Sequence, residues 1–143
     1  MNVTKIQKSL FAAAVSSAAF VPVSHAAELT IEVSNISELK GQVMIALYAN
    51  GETWLGKAAR GSGAAANAEK VLVKFADVPA GSYAAAVYQD VNGNGKMDSN
   101  VMGIPTEPFG FSNNATGRFG PPKFEAAKFL MADTATSIKL DLN

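Results

Sequence analysis

The stretch VLVKFADVPAGSYAAAVYQD, residues 71–90, carries two strand patterns separated by a turn. Apolar and polar residues alternate from Val71 to Phe75, which indicates a half-buried strand. Pro79-Ala-Gly81 predicts a turn, because proline presets the backbone angle φ at the second turn position and glycine suits the fourth. Ser82 to Gln89 is apolar on both faces, as expected of a central strand. The stretch therefore predicts two consecutive strands of a β-rich domain.

Strand patterns continue on both sides of this stretch, and no segment shows a long amphipathic helical period. Short strands separated by turn residues predict an all-β fold, an antiparallel β-sandwich of about seven strands. Short helical turns are expected at most in Thr53–Arg60 and Phe124–Lys128, and the Ala/Gly-rich segment Gly61–Ala68 is expected to be a flexible loop. The other predicted strands are Leu29–Val33, Gln42–Ala49, Lys128–Ala132 and Ile138–Leu142.

Residues 1–26 have the pattern of a cleavable signal peptide. Lys5 and Lys8 precede an apolar run from Leu10 to Val23, and Ser24-His-Ala26 predicts cleavage between Ala26 and Ala27. The run is shorter than the ~20 residues that span a bilayer, although a membrane anchor or a buried helix is the alternative interpretation. We therefore expect a periplasmic or secreted protein with no membrane span in its mature form.

The composition of the predicted mature chain excludes several function classes. Residues 27–143 are 117 residues, enough for a single domain. They carry ten basic and twelve acidic side chains, a formal charge of −2, whereas a nucleic-acid partner requires a basic excess. The chain has no Cys and its one His lies in the signal peptide, so disulfides, zinc sites and Ser-His or Cys-His catalysis are not expected.

The segment Asp90-Val-Asn-Gly-Asn-Gly-Lys-Met-Asp98 has oxygen side chains at positions one, three, five and nine, and glycine at position six. This spacing is typical of the EF-hand calcium loop, in which alternate residues direct hard oxygens to one centre. The likeness is partial, because position twelve is Val101 instead of a bidentate glutamate. Glu107 is the nearest later acid. The candidate calcium ligands are Asp90, Asn92, Asn94, Lys96 through its carbonyl, Asp98 and Glu107.

The alternative interpretation of this segment is a polar hairpin turn without a metal ion, since Asn-Gly is itself a strong hairpin signal. Two acids and two amides at alternate positions exceed what a turn requires, which favours the metal site. We expect a structural calcium ion that replaces the missing disulfides, with a dissociation constant on the order of 10⁻⁴–10⁻³ M.

The segment Gly103–Phe124 is rich in Gly, Pro and Phe and has neither a strand nor a helix period. Loops of this length in compact domains tend to be functional or disordered, and four phenylalanines argue against disorder. One interpretation is a rigid aromatic surface for a ligand or partner; the other is that the phenylalanines close the open end of the sandwich. Trp54 is either a stacking platform or a half-buried lid residue. The candidate surface consists of Phe109, Phe111, Asn113, Arg118, Phe119 and Trp54.

Four strings carry a resemblance: Gly81-Ser-Tyr-Ala84, the calcium-type loop, Gly103-Ile-Pro-Thr-Glu-Pro-Phe-Gly-Phe-Ser-Asn113, and Phe119-Gly-Pro-Pro122. In these the mature chain resembles a family of small exported bacterial proteins known only as a domain of unknown function, DUF2141. The resemblance implies a periplasmic or secreted sandwich and no activity. Pro79-Ala-Gly-Ser-Tyr83 is also similar to transthyretin-like (prealbumin-like) and carboxypeptidase-regulatory sandwiches, within the immunoglobulin-like group of folds.

These observations favour a non-enzymatic, calcium-stabilised binding or accessory module of the envelope, expected to be a monomer. Its partner would be a small molecule, a glycan or an envelope protein. One alternative is a calcium-assisted hydrolase with Asp98 or Glu107 as its base. Another is a structural or adhesive subunit that uses an exposed strand edge such as Leu29–Val33.

Overall fold

The computed structural model describes residues 26–143, so the predicted signal peptide lies outside the described residues except for Ala26, which begins the first strand. Among the described residues, helix is limited to α1 (Phe124–Ala127) and a 3₁₀ turn at Ser112–Asn114. The same part of the chain contains eight strands: β1 (Ala26–Ser34), β2 (Gln42–Tyr48), β3 (Arg60–Ala65), β4 (Val71–Pro79), β5 (Gly81–Asp90), β6 (Phe109–Phe111), β7 (Phe129–Met131) and β8 (Thr136–Asp141).

The strands form two sheets packed face to face. One sheet has the order β4-β1-β8, and the other has the order β3-β2-β5-β6 with β7 also paired to β5. The apolar faces of both sheets meet in one core, which confirms the predicted β-sandwich. Within residues 26–143, no helix has the length and apolar character needed to cross a membrane.

The core follows from the alternation that the sequence displays. Leu29, Ile31 and Val33 of β1 are fully buried and face the other sheet, while the residues between them are more exposed. Burial of one such side chain contributes about 1.5–3 kcal/mol. The other buried members of this core are Ile36, Val43, Ile45, Leu47, Ala66, Val71, Val73, Phe75, Val78, Ala85, Val87, Met131, Leu140 and Leu142.

Strand β1 corrects two expectations. It pairs antiparallel with β4 and parallel with β8, with Leu29 opposite Thr136, so the sandwich is mixed instead of purely antiparallel. Because β1 has a partner on each side, Leu29–Val33 is a central strand, and the predicted exposed edge there is wrong. Alternation shows which face of a strand is buried, but it does not show which strands flank it.

Strand β3 corrects a third expectation, because the predicted flexible loop Gly61–Ala68 begins with a strand that pairs with β2. Its pairing is made by the backbone, so small side chains do not prevent it. They also allow close packing: a Cβ on Gly63 would lie 2.8 Å from the Met44 sulfur. The preceding Thr53–Arg60 segment forms turns instead of a helix, and its last residue already belongs to β3.

The turn at Pro79–Gly81 is confirmed, and it connects the two sheets. Strand β4 belongs to the three-stranded sheet and β5 to the five-stranded sheet, with Ala80 between them. The turn therefore does not form a hairpin. At the other end of the chain, the predicted helical turn near Phe124 and the strands around 128–132 and 138–142 are present.

The segment Gly103–Phe124 contains regular structure that its composition hides. Strand β6 lies within this segment and pairs with residues 86–88 of β5. Strand β7, which follows the segment, pairs with residues 81–83 along the same edge of β5. Ser112 fills the gap between them: its fully buried hydroxyl accepts a hydrogen bond from the Ala85 N–H at 2.8 Å and lies 2.5 Å from the Ala127 carbonyl oxygen. This side chain satisfies backbone groups that the strand ladder leaves unpaired.

The two open sides of the sandwich are bridged by side chains. On one side, Arg60 of β3 donates to the carbonyl oxygens of Ala76 and Asp77 on β4. On the other, Asn114 accepts from the backbone N–H of Asp141 at 2.8 Å and donates to its carboxylate at 2.9 Å. Bridging of this kind covers strand edges that would otherwise offer unpaired backbone groups.

Replacement of Gly110 by alanine tests the close approach of β6 to β8. A Cβ at Gly110 would lie 2.3 Å from the Asp141 carbonyl oxygen, so one strand must move. Overpacking of this kind costs about 1–3 kcal/mol, and we expect Gly110→Ala to lower the free energy of unfolding in urea by that amount. Gly120→Ala is the control, because a Cβ there meets no atom within 4 Å. Equal effects of the two substitutions would contradict this packing.

Candidate metal-binding loop

The candidate loop starts where β5 leaves the sheet, and Asp90 organises its first half. Asp90 is 4% exposed. One carboxylate oxygen accepts hydrogen bonds from the N–H groups of Gly93 at 2.8 Å and Asn94 at 3.1 Å, and the other accepts from Gly95 at 2.8 Å. Both glycines have positive φ, 74° and 77°, which allows the chain to turn around the carboxylate.

The other predicted side chains meet at the exposed end of the loop. The side-chain amides of Asn92 and Asn94 donate to the Asp98 carboxylate at 2.5 Å and 2.9 Å. Their oxygens accept from the backbone N–H groups of Asn94 and Lys96, at 3.1 Å and 2.9 Å. Asn94 therefore contacts both acids of the loop, since its backbone reaches Asp90 and its side chain reaches Asp98.

Glu107 joins the two ends of the loop. It is 8% exposed, and its carboxylate oxygens accept from the N–H groups of Val91 at 2.9 Å and Asp98 at 3.0 Å. The sequence suggested Glu107 as a ligand, and the structure brings it to the base of the loop in contact with backbone donors. Each carboxylate oxygen has two lone pairs, so one on each remains for a cation.

The donor set consists of hard oxygens. Asp90 and Asp98 offer carboxylates, Asn92 and Asn94 offer amide oxygens, and the predicted ligand from the exposed Lys96 is its backbone carbonyl. Calcium accepts this mixture, whereas zinc and copper take nitrogen and sulfur. In the part of the chain from 26 to 143, no group of three or more His, Cys, Asp and Glu side chains is arranged to hold a metal ion. Amide and carbonyl oxygens would therefore have to complete the shell.

A small hairpin, residues 98–106, rises from the end of the loop. Its base is the hydrogen bond from the Thr106 N–H to the Asp98 carbonyl at 2.9 Å, followed by the bridge between Ser99 and Pro105. At its tip, the Asn100 side-chain oxygen accepts from the N–H groups of Met102 at 2.9 Å and Ile104 at 3.0 Å. Sequence reasoning missed this hairpin, although Asn before a Gly-containing turn is a usable signal.

Most of the predicted aromatic surface packs inside the protein. Phe111 is 8% exposed, and Trp54 lies against Tyr48, Phe111 and Phe124 with ring centroids 5.1–6.0 Å apart. The Trp54 indole N–H donates to the Pro122 carbonyl at 2.8 Å. Phe109 is half-buried at the edge of this cluster. These rings cover the outer face of the five-stranded sheet.

The remaining three residues of the predicted surface behave differently from one another. The Asn113 amide donates to the carbonyl oxygens of Ala126 and Lys128, so it holds the segment around α1. Arg118 and Phe119 are exposed on a tight turn, in which a Cβ on Gly117 would lie 1.7 Å from the Gly120 carbonyl oxygen. Only this pair among the six predicted residues projects freely from the surface.

Comparison with known proteins places the chain in a family. The profile of a family described as uncharacterized protein conserved in bacteria (DUF2141) matches residues 31–139. The chain belongs to the DUF2141 family. The matched region runs from β1 into β8 and includes the candidate loop, the hairpin and the aromatic cluster. Neither curated proteins nor solved structures gave a match.

Gln89 is a buried residue of this site that sequence reasoning missed. It lies on β5 directly before the loop and is fully buried. Its amide donates to the carbonyl oxygens of Glu38 at 2.6 Å and Lys40 at 2.8 Å, which ties the β1–β2 connection to the start of the loop. A glutamine on the core face of an apolar strand is the signal that could have revealed it.

Tyr88 lies on β5 two residues before Asp90. Burial raises the pKa of the Tyr88 phenol above its ordinary value of 10.0, and the negative charges of Asp90 and Glu107 raise it further. The neutral phenol is therefore favoured beside the acidic loop, because ionisation would place another negative charge near Asp90 and Glu107.

Replacement of Glu107 by glutamine tests its bridging role. Glutamine keeps one acceptor oxygen, so one of the two backbone N–H groups loses its partner. We expect Glu107→Gln to lower the free energy of unfolding by about 1–3 kcal/mol, measured by urea denaturation in the presence of a chelator. Glu125→Gln is the control: it breaks only an exposed ion pair with Lys128, worth about 0–1 kcal/mol. A smaller loss for Glu107→Gln than for the control would contradict the role.

The raised pKa of Tyr88 predicts a pH dependence. Well below pH 10 the phenol is protonated in the folded and unfolded chains, so it adds no pH dependence. As the pH rises past 10 the unfolded chain releases its proton first, which lowers the free energy of unfolding. Tyr88→Phe removes this loss. In urea denaturation, the free energy of unfolding of the variant relative to that of the unmodified protein should therefore be higher at about pH 11 than at about pH 9. Tyr48 also has a raised pKa, but it is present in both proteins, so its effect on the free energy of unfolding cancels in the comparison. A difference independent of pH would contradict the expectation.

Proposed function

We propose that this protein is an exported, non-enzymatic binding or accessory module of the bacterial envelope whose loop at residues 90–98 binds one structural calcium ion. Export is supported by the signal-peptide pattern of residues 1–26. The bacterial setting is supported by the family. Periplasmic or secreted location follows from export, and the absence of cysteine leaves an ion as a means of stabilising a long irregular segment.

The meeting of Asp90, Asn94 and Asp98 in one short loop supports the calcium site most strongly. Two carboxylates of like charge contact the same asparagine, one through its backbone and one through its side chain. Each side-chain oxygen of the two asparagines accepts one backbone N–H and has a second lone pair free. A calcium ion would draw these oxygens together and neutralise the two acids.

Calcium would act mainly on the segment that follows the loop. Asp98 begins the hairpin, and Glu107 connects the base of the loop to the chain that enters β6. An ion bound between the two halves of the loop would therefore fix the start of a long segment that has few strand ladders of its own. This is a stabilising role, and any recognition would belong to other surfaces of the module.

Two other functions have less support. A carboxylate-dependent hydrolase requires a base within reach of a bound substrate, whereas Glu107 is only 8% exposed and directs both carboxylate oxygens at backbone N–H groups of the loop. The adhesive subunit was expected to use an exposed edge such as Leu29–Val33, and β1 has partners on both sides there.

Unfolding of the purified protein with and without calcium tests the site. With a dissociation constant of 10⁻⁴–10⁻³ M, about 10 mM calcium should add about 1.4–2.7 kcal/mol to the free energy of unfolding. Asp98→Asn should abolish most of this gain, because it removes one of the two carboxylates of the loop, and calorimetry should show weaker calcium binding.

Asp133→Asn is the matched control, since Asp133 is an exposed acid in the turn between β7 and β8. It should keep the full effect of calcium. Equal unfolding midpoints in calcium and in chelator for the unmodified protein would show that the loop is a metal-free turn. An equal gain from magnesium would argue against a site selective for calcium, because magnesium prefers a smaller octahedral shell.

A further inference from the structure

The hairpin at residues 98–106 displays apolar side chains to solvent. Val101 is 105% exposed, Met102 79% and Ile104 54%. Met97, directly before the hairpin, is also exposed. Large exposed hydrophobic residues elsewhere on the described surface are spread over separate elements, so this clustering within eight residues sets the hairpin apart. Clustered apolar exposure marks a surface that contacts something other than water.

Hydrogen bonds hold these side chains outward. The Asn100 side-chain oxygen accepts from the N–H groups of Met102 and Ile104, and the Asn100 N–H donates to the Ile104 carbonyl at 2.9 Å. Gly103 completes the turn with a φ of 76°. The turn therefore closes on its own backbone, while Val101, Met102 and Ile104 each expose more than half of their surface to solvent. These hydrogen bonds give the hairpin a defined turn, which an irregular loop with exposed apolar residues would not need.

The shape of the tip favours a lipid bilayer over a protein partner. Val101 and Met102 stand at the end of a narrow hairpin, so the apolar surface is convex and small. A stable protein interface buries about 800 Å² on each partner over a broad patch, which three side chains on a hairpin tip do not offer. Isolated apolar side chains can instead enter the boundary between lipid headgroups and acyl chains. Residues 99–105 contain no charged side chain, so the tip can enter without desolvating a charge.

The charges at the base of the hairpin connect the tip to the candidate loop. Asp90, Asp98 and Glu107 carry three negative charges and Lys96 one positive charge, which leaves −2 beside the hairpin. An anionic membrane would repel this base. One calcium ion in the loop would bring the sum to zero and remove the repulsion. The hairpin and the loop also share Asp98, whose N–H is bound by Glu107 and whose carbonyl is bound by Thr106.

We propose that the hairpin inserts Val101, Met102 and Ile104 into an anionic lipid surface when calcium occupies the loop. The proposal rests on the calcium site of the proposed function and adds a partner to it. Calcium acts as the condition for docking, and the apolar tip supplies the contact. The occupant is the bilayer itself, recognised by its apolar interior.

Co-sedimentation with vesicles of phosphatidylcholine and phosphatidylglycerol tests the proposal. The purified protein should sediment with these vesicles in calcium and remain in solution in chelator. Vesicles of phosphatidylcholine alone carry no net charge to repel the base, so they should bind the protein equally in calcium and in chelator. The double variant Val101→Ser/Met102→Ser should bind the mixed vesicles at least about tenfold more weakly than the unmodified protein does. Leu72→Ser/Leu130→Ser is the matched control, because it removes two exposed apolar side chains, 58% and 72% exposed, from β4 and β7; it should bind as the unmodified protein does.

A fluorescent label at the tip gives a second measurement. The chain has no cysteine, so Met102→Cys can be labelled at one position with an environment-sensitive dye. Its emission should shift to the blue on addition of anionic vesicles and calcium, and the same dye at Leu72→Cys should not respond. A dye at Met102→Cys that remains in water while the protein sediments would show that another surface makes the contact and would overturn the proposal.

Calcium binding without vesicles separates this proposal from the one on which it rests. Calorimetry on Val101→Ser/Met102→Ser should give the calcium affinity of the unmodified protein, because neither side chain is a ligand. Calcium binding without vesicle binding would overturn the membrane proposal and leave the calcium site intact. Binding to the anionic vesicles that persists in chelator would overturn the calcium dependence. Absence of calcium binding in the unmodified protein would overturn the proposed function itself.

Discussion

Backbone hydrogen bonding along both edges of strand β5 supports the rest of this structure. One edge pairs with β2 along most of its length, and the other pairs first with β7 and then with β6. The candidate loop begins at the last residue of this strand. Because β5 is held on both sides, Asp90 starts the loop from a fixed position, and its carboxylate can collect three backbone N–H groups.

Buried polar side chains take over wherever these ladders stop. Ser112 fills the gap between β6 and β7, Gln89 secures the β1–β2 connection, and Glu107 holds the two ends of the loop. Each satisfies backbone groups that would otherwise be buried without a partner. The irregular half of the domain is therefore ordered by a few specific acceptors and donors, in a chain that contains no disulfide.

The loop and the hairpin form one unit with two different ends. Its polar end has hard oxygens and a negative charge, and its apolar end has three exposed side chains on a closed turn. The proposals give each end one ligand, an ion and a lipid surface. Glu107 follows the hairpin directly and leads into β6, and its carboxylate accepts backbone N–H groups at both ends of the loop. It therefore joins the loop to the end of the hairpin.

Local patterns in the chain were enough for six of the eight described strands, the turn at Pro79 and the spacing of the polar residues in the candidate loop. Alternation and turn chemistry act between near neighbours. Local patterns do not determine the order of the strands in the sheets. The parallel pairing of β1 with β8, the strand at Arg60–Ala65 and the burial of Phe111 depend on contacts between distant segments, which periodicity does not encode. Glu107 illustrates the difference: sequence proximity suggested it as a ligand of the loop, and only the folded chain showed that its carboxylate accepts the backbone N–H groups of Val91 and Asp98.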